Sequence, residues 1–159
     1  MLRQEIHWEK QFKELSGYLK EFITLNKLRN TPERYEILES ALDLEYTHPA
    51  FNAQMLYAHH STQGYVASRN SIYNALNLFE EASILIKLPE TAEGSNYCFT
   101  YRTSGNMLMI CRRCGNISFY KRKRELIQIK HIVPPRFNVT NPVIILYGIC
   151  IKCKKIKKK

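Results

Sequence analysis

The chain has 159 residues, 45% hydrophobic and 24% charged, with 24 Lys+Arg against 14 Asp+Glu for a formal net charge of +10. That composition excludes disorder throughout and fits one ordinary domain or two small ones. The longest apolar run, VIILYGI at 143–149, is far shorter than the ~20 residues a bilayer span needs, and MLRQEIHWEKQFKEL lacks the apolar core of a signal peptide. A cytoplasmic protein in a reducing compartment, with no membrane partner, is the expectation. Five lysines after Cys153 supply half of the net charge, leaving about +5 for the rest of the chain. The tail reads either as a solvated, disordered end or as a non-specific phosphate binder.

Along WEKQFKELSGYLKEFITL, residues 8–25, Phe12, Leu15, Leu19, Phe22 and Ile23 recur at helical spacing. RNTPERYEILESAL opens a second helix with Thr31 as N-cap, Pro32 at the first helical position and Glu33 in the first turn; Ile37, Leu38, Ala41 and Leu42 form its buried stripe. THPAFN breaks the chain, a short helix runs from about Asn52 to His60, and STQGYVA turns. Ser68 then caps a helix whose Ile72, Ala75, Leu76 and Phe79 fall on one face. The opposite face carries Arg69, Asn70, Tyr73, Asn74 and Asn77, side chains that bond base edges and phosphates, with no acid before Glu80. Two strand patterns follow, ILIKL at 84–88 and NYCFTYR at 96–102. Helices followed by a β-hairpin are the order of a winged helix-turn-helix, whose last helix enters the major groove of double-stranded DNA.

From residue 105 the pattern changes. NMLMI and NISFY read as strands around Cys111 and Cys114; KRKRELIQIKHIV, 121–133, reads as a short helix; PPRFNVTNP is a loop; and PVIILYG is a last strand leading to Cys150 and Cys153. Two C-x-x-C turns in a reducing cell read as a zinc site, since each aims two thiolates at one point. Gly115 and Gly148 are expected to give the turns the tight backbone that points amides at sulfur. Four thiolates leave no open position, so the metal is structural rather than catalytic. A thioredoxin-type redox pair needs only one such turn at a helix N-terminus. The fold expected is α+β: a winged helix-turn-helix over 1–100, a small zinc-containing α/β unit over 101–153, and a lysine-rich tail over 154–159. The second unit is too small for a core of its own and is expected to pair with its copy as a homodimer. Cys98, inside a strand pattern, reads as an inert buried thiol or as a sensor or ligand.

Several stretches carry a resemblance. LRNTPERYEILESAL, YVASRNSIYNALNLFEEASIL, ICRRCGNISFY and LYGICIKC, in this order over about residues 10–153, resemble the signatures of the ferric uptake regulator family. The resemblance implies a homodimeric bacterial transcription factor, usually a repressor, that binds AT-rich inverted repeats. It places Tyr73 at the family's DNA-reading tyrosine, Arg34 at a phosphate-contacting arginine and Arg29 at a residue reaching into the minor groove. Where the family usually has arginine, this chain has Asn74, which can bond adenine N6 and N7 together.

The family's sensing ligands are largely missing. Its His-His run before the first cysteine pair corresponds to Gly105, Asn106, Met107 and Leu108, and its glutamate after the hairpin tyrosine to Cys98. The hinge histidine aligns with Pro49 or Ala50, with His48 next door. Altered or lost ferrous-iron sensing follows. Cys98 or His48 could rebuild a sensor for haem, a second metal or oxidation. His59 and His60 point ~100° apart on a helix and read as surface or turn histidines, not a chelating pair. The basic run Lys121–Arg124 could add phosphate contacts. Against the DNA-binding regulator stands a zinc-stapled nucleic-acid-binding or interaction protein without operator specificity. An enzyme is not supported: there is no open metal position, acid–base pair or phosphate-cradling glycine loop.

Overall fold

The computed structural model describes residues 2–90, 94–104, 106–121, 136–138 and 142–155, with side chains from His7 onward. The chain divides into two compact units, Met1–Cys98 and Phe99–Lys159.

The first unit is four helices and a small sheet. Helix α1 spans Leu2–Leu25, α2 Pro32–Glu45, α3 Ala53–Thr62 and α4 Arg69–Glu81; strand β1 is Phe51–Asn52, β2 Leu85–Lys87 and β3 Asn96–Phe99. The stripes predicted for the helices converge on one core: Leu19 and Ile23 of α1, Ile37, Leu38, Ala41 and Leu42 of α2, and Ile72, Leu76 and Phe79 of α4 are at most 1% exposed. Leu56 of α3 and Phe51 of β1 fill the space between them at 0% exposure. Helix α2 packs on α1, α3 and α4, and α3 on α4. The sheet order is β1-β3-β2, with Phe51 opposite Tyr97 and Asn52 opposite Asn96. This is a winged helix.

Local chemistry explains the boundaries, with some corrections. Helix α2 starts at Pro32 as expected, and Thr31 has the extended backbone of an N-cap, but its side chain makes no capping bond. The cap of α3 is Asn52, whose side chain accepts from the Met55 amide at 2.9 Å, so the helix starts one residue later than expected and continues to Thr62. Ser68 caps α4 as predicted, accepting from the Ser71 amide at 3.0 Å. Strand β1 lies where only a chain break was expected. The strand expected over 96–102 ends at Phe99, and Thr100–Thr103 forms a one-turn helix, α5.

The second unit pairs β4 (Asn106–Cys111) antiparallel with β5 (Ile117–Lys121) and parallel with β6 (Ile144–Gly148), in the order β5-β4-β6, and ends in helix α6, Ile151–Lys155. Leu108 and Ile110 of β4 are buried on one face. On the other face Met109 pairs with Leu146, and Met107 with Tyr120. Met109, Tyr120 and Leu146 stand 37%, 48% and 47% exposed. The helix expected over 121–133 lies outside the described residues except for Lys121, which ends β5. No helix among the described residues is long and apolar enough to cross a membrane.

Candidate metal centre and nucleic-acid interface

The register of the second sheet assembles the cysteines. Cys111 ends β4 opposite Gly148, the last residue of β6, so the two C-x-x-C turns leave the same end of neighbouring parallel strands. The Arg112 amide donates to the Gly148 carbonyl at 2.8 Å, and the Cys111 amide to the Asn116 carbonyl at 3.0 Å, which fixes both turns. Gly115 has a φ of +69°, a conformation that explains glycine there. Gly148 does not: it is ordinary strand, and its contribution is the carbonyl that receives Arg112.

All four sulfurs, of Cys111, Cys114, Cys150 and Cys153, lie within 4.8 Å of one another. Cys114 and Cys150 stand 3.7 Å apart, far beyond the ~2.05 Å of a disulfide. Four sulfurs ~2.3 Å from one zinc sit ~3.8 Å from each other, so this spacing fits a tetrahedral ion. Backbone amides point at the sulfurs: Cys150 N–H donates to Cys111 Sγ at 3.3 Å and Cys153 N–H to Cys150 Sγ at 3.5 Å. The amide of Cys150, with those of Cys114 and Arg113, holds the Cys111 thiol down at about 6. Crowding acts the other way on Cys153, which the neighbouring thiol of Cys114, burial and the other two thiols push up to about 12. A set of thiols that repel one another's ionisation is stable as thiolates once a dication supplies the missing charge. Among the described residues no other group of three or more His, Cys, Asp or Glu converges in this way.

The face of α4 opposite the core is open. Tyr73 is 54% exposed, and Arg69, Asn70 and Asn74 are exposed beside it. The Arg69 guanidinium lies over the ring of Tyr57, 5.1 Å from its centroid. Tyr57, Arg69 and Tyr73 border one shallow cleft between α3 and α4, together with Gln54, Ala53 and Ile72. Sequence reasoning misses Tyr57; only its place midway along a helix that packs on α4 marks it. Arg34 is half-buried and donates to the backbone carbonyl of Arg29, which ties those two residues together in the approach to α2.

The remaining candidates belong to neither the cysteine cluster nor the cleft beside α4. Cys98 is 0% exposed on β3. His48 is exposed in the loop after α2, its Nδ1 2.9 Å from Thr47 Oγ1. Of the two adjacent histidines, only His60 departs from expectation. Both residues lie inside α3; His59 bonds Asp43 at 2.8 Å, while His60 is 1% exposed in the first unit's interior. Asn106, Met107 and Leu108, where the family's His-His run was expected to be replaced, lie on β4, with Leu108 fully buried.

Fold and site together define a winged-helix regulator with an α/β unit closed by a four-cysteine knuckle. The chain belongs to the ferric uptake regulator family, whose sequence pattern it matches over residues 26–147. It is 32% identical, over 81% of its length and 84% of the relative's, to the peroxide-responsive repressor PerR of Staphylococcus saprophyticus. Its fold is similar to the Helicobacter pylori ferric uptake regulator at a TM-score of 0.69 and 19% identity, covering 92% of this chain and 96% of that one. It is also similar, at a TM-score of 0.53 and 22% identity over 91% and 96% of the chains, to a zinc uptake regulator complexed with zinc and DNA. The protein is therefore a transcriptional regulator of this family and not an enzyme.

Proposed function

We propose that the protein is a homodimeric repressor that reads AT-rich inverted repeats through α4, is held together by one structural zinc per chain, and has left the family's ferrous-iron switch. The observation that carries the reading is the face of α4: a capped helix, backed by fully buried Ile72, Leu76 and Phe79, presents Arg69, Asn70, Tyr73 and Asn74 with no acid among them. The tyrosine ring can pack on a thymine methyl, and asparagine can bond adenine in two places. Arg34 would meet phosphate, and Arg29 a narrow minor groove. The exposed Met109, Tyr120 and Leu146 face supports a second copy as partner, since such a patch rarely stays open to water. Cys111, Cys114, Cys150 and Cys153 would hold the zinc, which supplies the cross-link between the two turns.

Lost iron sensing is supported by the strand setting of Met107 and Leu108, apolar side chains at the positions that the resemblance gives to histidines. Full burial of Cys98 favours packing over a haem or oxidation sensor. The test is a titration of an AT-rich palindrome with purified protein of known metal content, with and without Fe²⁺ or Mn²⁺. One tight zinc per chain and binding indifferent to added metal is expected. Binding that requires a second metal overturns the lost switch. Equal binding to a scrambled duplex overturns the specific regulator in favour of a zinc-stapled protein without operator preference.

A further inference from the structure

Dividing the chain between Cys98 and Phe99 also divides its charge. Residues 1–98 hold 9 Lys+Arg against 13 Asp+Glu, a net −4, while residues 99–159 hold 15 Lys+Arg against the single acid Glu125, a net +14. The winged-helix unit is thus acidic. Helix α4 has one cation, Arg69, and ends in Glu80 and Glu81. Affinity for duplex DNA rests largely on neutralised phosphates, and an acidic reading head supplies few.

Five of these cations sit around the cysteine cluster. Arg112 and Arg113 occupy the first turn, Lys152, Lys154 and Lys155 lie on α6 in the second, and all five are exposed. The two turns are locked together by the Arg112–Gly148 and Cys150–Cys111 bonds, so these charges share one rigid end of the sheet. Two are already oriented. Arg112 lies over the Tyr147 ring, 5.2 Å from its centroid, and Arg113 Nη1 donates to the Cys153 carbonyl at 2.7 Å. A guanidinium stacked on a ring still turns its N–H donors outward in its own plane, where an anion can meet them.

We propose that this cationic surface around the four-cysteine cluster binds the phosphate backbone of double-stranded DNA, supplying the electrostatic affinity that the acidic winged helix lacks. The inference deepens the DNA-binding reading of α4 and rests on it. DNA is the partner argued because the chain's reading helix carries a single cation, Arg69, while the exposed cations of the second unit complement phosphate. Division of labour follows: α4 selects sequence, and the knuckle surface adds affinity without sequence preference.

The experiment uses the full-length, zinc-loaded protein and the fourfold variant Arg112→Gln/Lys152→Gln/Lys154→Gln/Lys155→Gln, with zinc content and sedimentation as controls for folding. Both are titrated against an AT-rich palindrome and a scrambled duplex between about 50 and 200 mM salt. The variant is expected to bind both duplexes at least ~10-fold more weakly, with a salt slope shallower by ~0.9 for each phosphate that is no longer neutralised. The triple lysine variant, which leaves Arg112 on Tyr147, shows the same fall in smaller measure. Tyr73→Ala instead removes the preference for the palindrome and leaves the slope unchanged. If the fourfold variant keeps the wild-type affinity and slope, the proposal is wrong. It is equally wrong if DNA binding is untouched and the variant loses binding to phosphatidylcholine–phosphatidylserine vesicles, which would make the surface a membrane contact. Equal wild-type binding to the two duplexes removes the α4 reading alone, because the slope comparison still tests the knuckle surface.

Discussion

His60 shows what one side chain does when it is taken out of water. Its Nδ1 lies 2.8 Å from Ser40 Oγ, and that hydroxyl donates onward to Gln63 Oε1, so Nδ1 carries the proton and Nε2 is left a bare, buried lone pair. The ring stacks on Tyr65, whose hydroxyl donates to Glu39 at 3.1 Å. Burial pulls the imidazole pKa below its usual 6.5, against the pull of Glu36 and Glu33 on α2, and neighbouring His59 lowers it further. In the window below 6.5 the unfolded chain binds the proton that the folded one refuses, so stability is full above that pH and falls as the pH drops. Thermal unfolding should therefore show a fall as the pH drops below 6.5 that is smaller in His60→Leu. Identical pH slopes for the two proteins would remove His60 from the account. The same scale governs Arg69. A guanidinium over the half-buried Tyr57 ring gains about 0.5–1 kcal/mol, so Tyr57→Leu should weaken DNA binding about 2–5-fold while Tyr57→Phe, which keeps the ring, does not. Equal affinities across the three in a binding titration would mean that Tyr57 does not position Arg69.

At the scale of the element, α4 depends on its cap and its core stripe. Ser68→Ala removes the acceptor for the Ser71 amide and should lower stability by ~1 kcal/mol in denaturant unfolding. Leu76→Ala, at 0% exposure, should lower it by about 2–5 kcal/mol and carry DNA binding down with it. A Leu76→Ala protein as stable as its parent would place the core elsewhere. These elements are legible in the sequence because period and chemistry agree: Ile72, Ala75, Leu76 and Phe79 fall at helical spacing behind a serine cap. The paired C-x-x-C turns are legible because two short turns with identical ligands admit few geometries. What escapes is set by partners distant in the chain. Phe51–Asn52 becomes a strand only because Asn96–Tyr97 lies beside it, and two residues carry no period. Thr100–Thr103 coils although NYCFTYR alternates. Gly148 has the composition of a turn glycine, yet its register opposite Cys111 makes it strand. His60 has the pattern of a surface histidine, because adjacency to His59 says nothing of which face of α3 meets α2.

Across the whole molecule the two units differ in what holds them. Met1–Cys98 has a core of fully buried side chains from four helices. In Phe99–Lys159 the buried hydrophobic residues among those described are Phe99, Leu108, Ile110, Cys111 and Cys153, and two of these five are cluster cysteines. A unit of 61 residues is marginal on size alone without a cross-link. A structural zinc contributes roughly 10–16 kcal/mol in small metal-dependent folds, so its removal should unfold the second unit while the first keeps its helices. Cys111→Ser, or treatment with a strong chelator, is then expected to leave most of the helical circular dichroism in place. The same treatment should abolish the proposed dimer in sedimentation and reduce DNA affinity, because the apolar Met109–Leu146 face and the cations of the knuckle are disrupted together. Cys98→Ser provides the comparison: its thiol is buried in the other unit, so it should alter stability without changing zinc content or dimer state. A metal-free protein that still sediments as a dimer would show that the sheet face alone holds the copies together, with zinc needed only to orient the two turns and their positive charge.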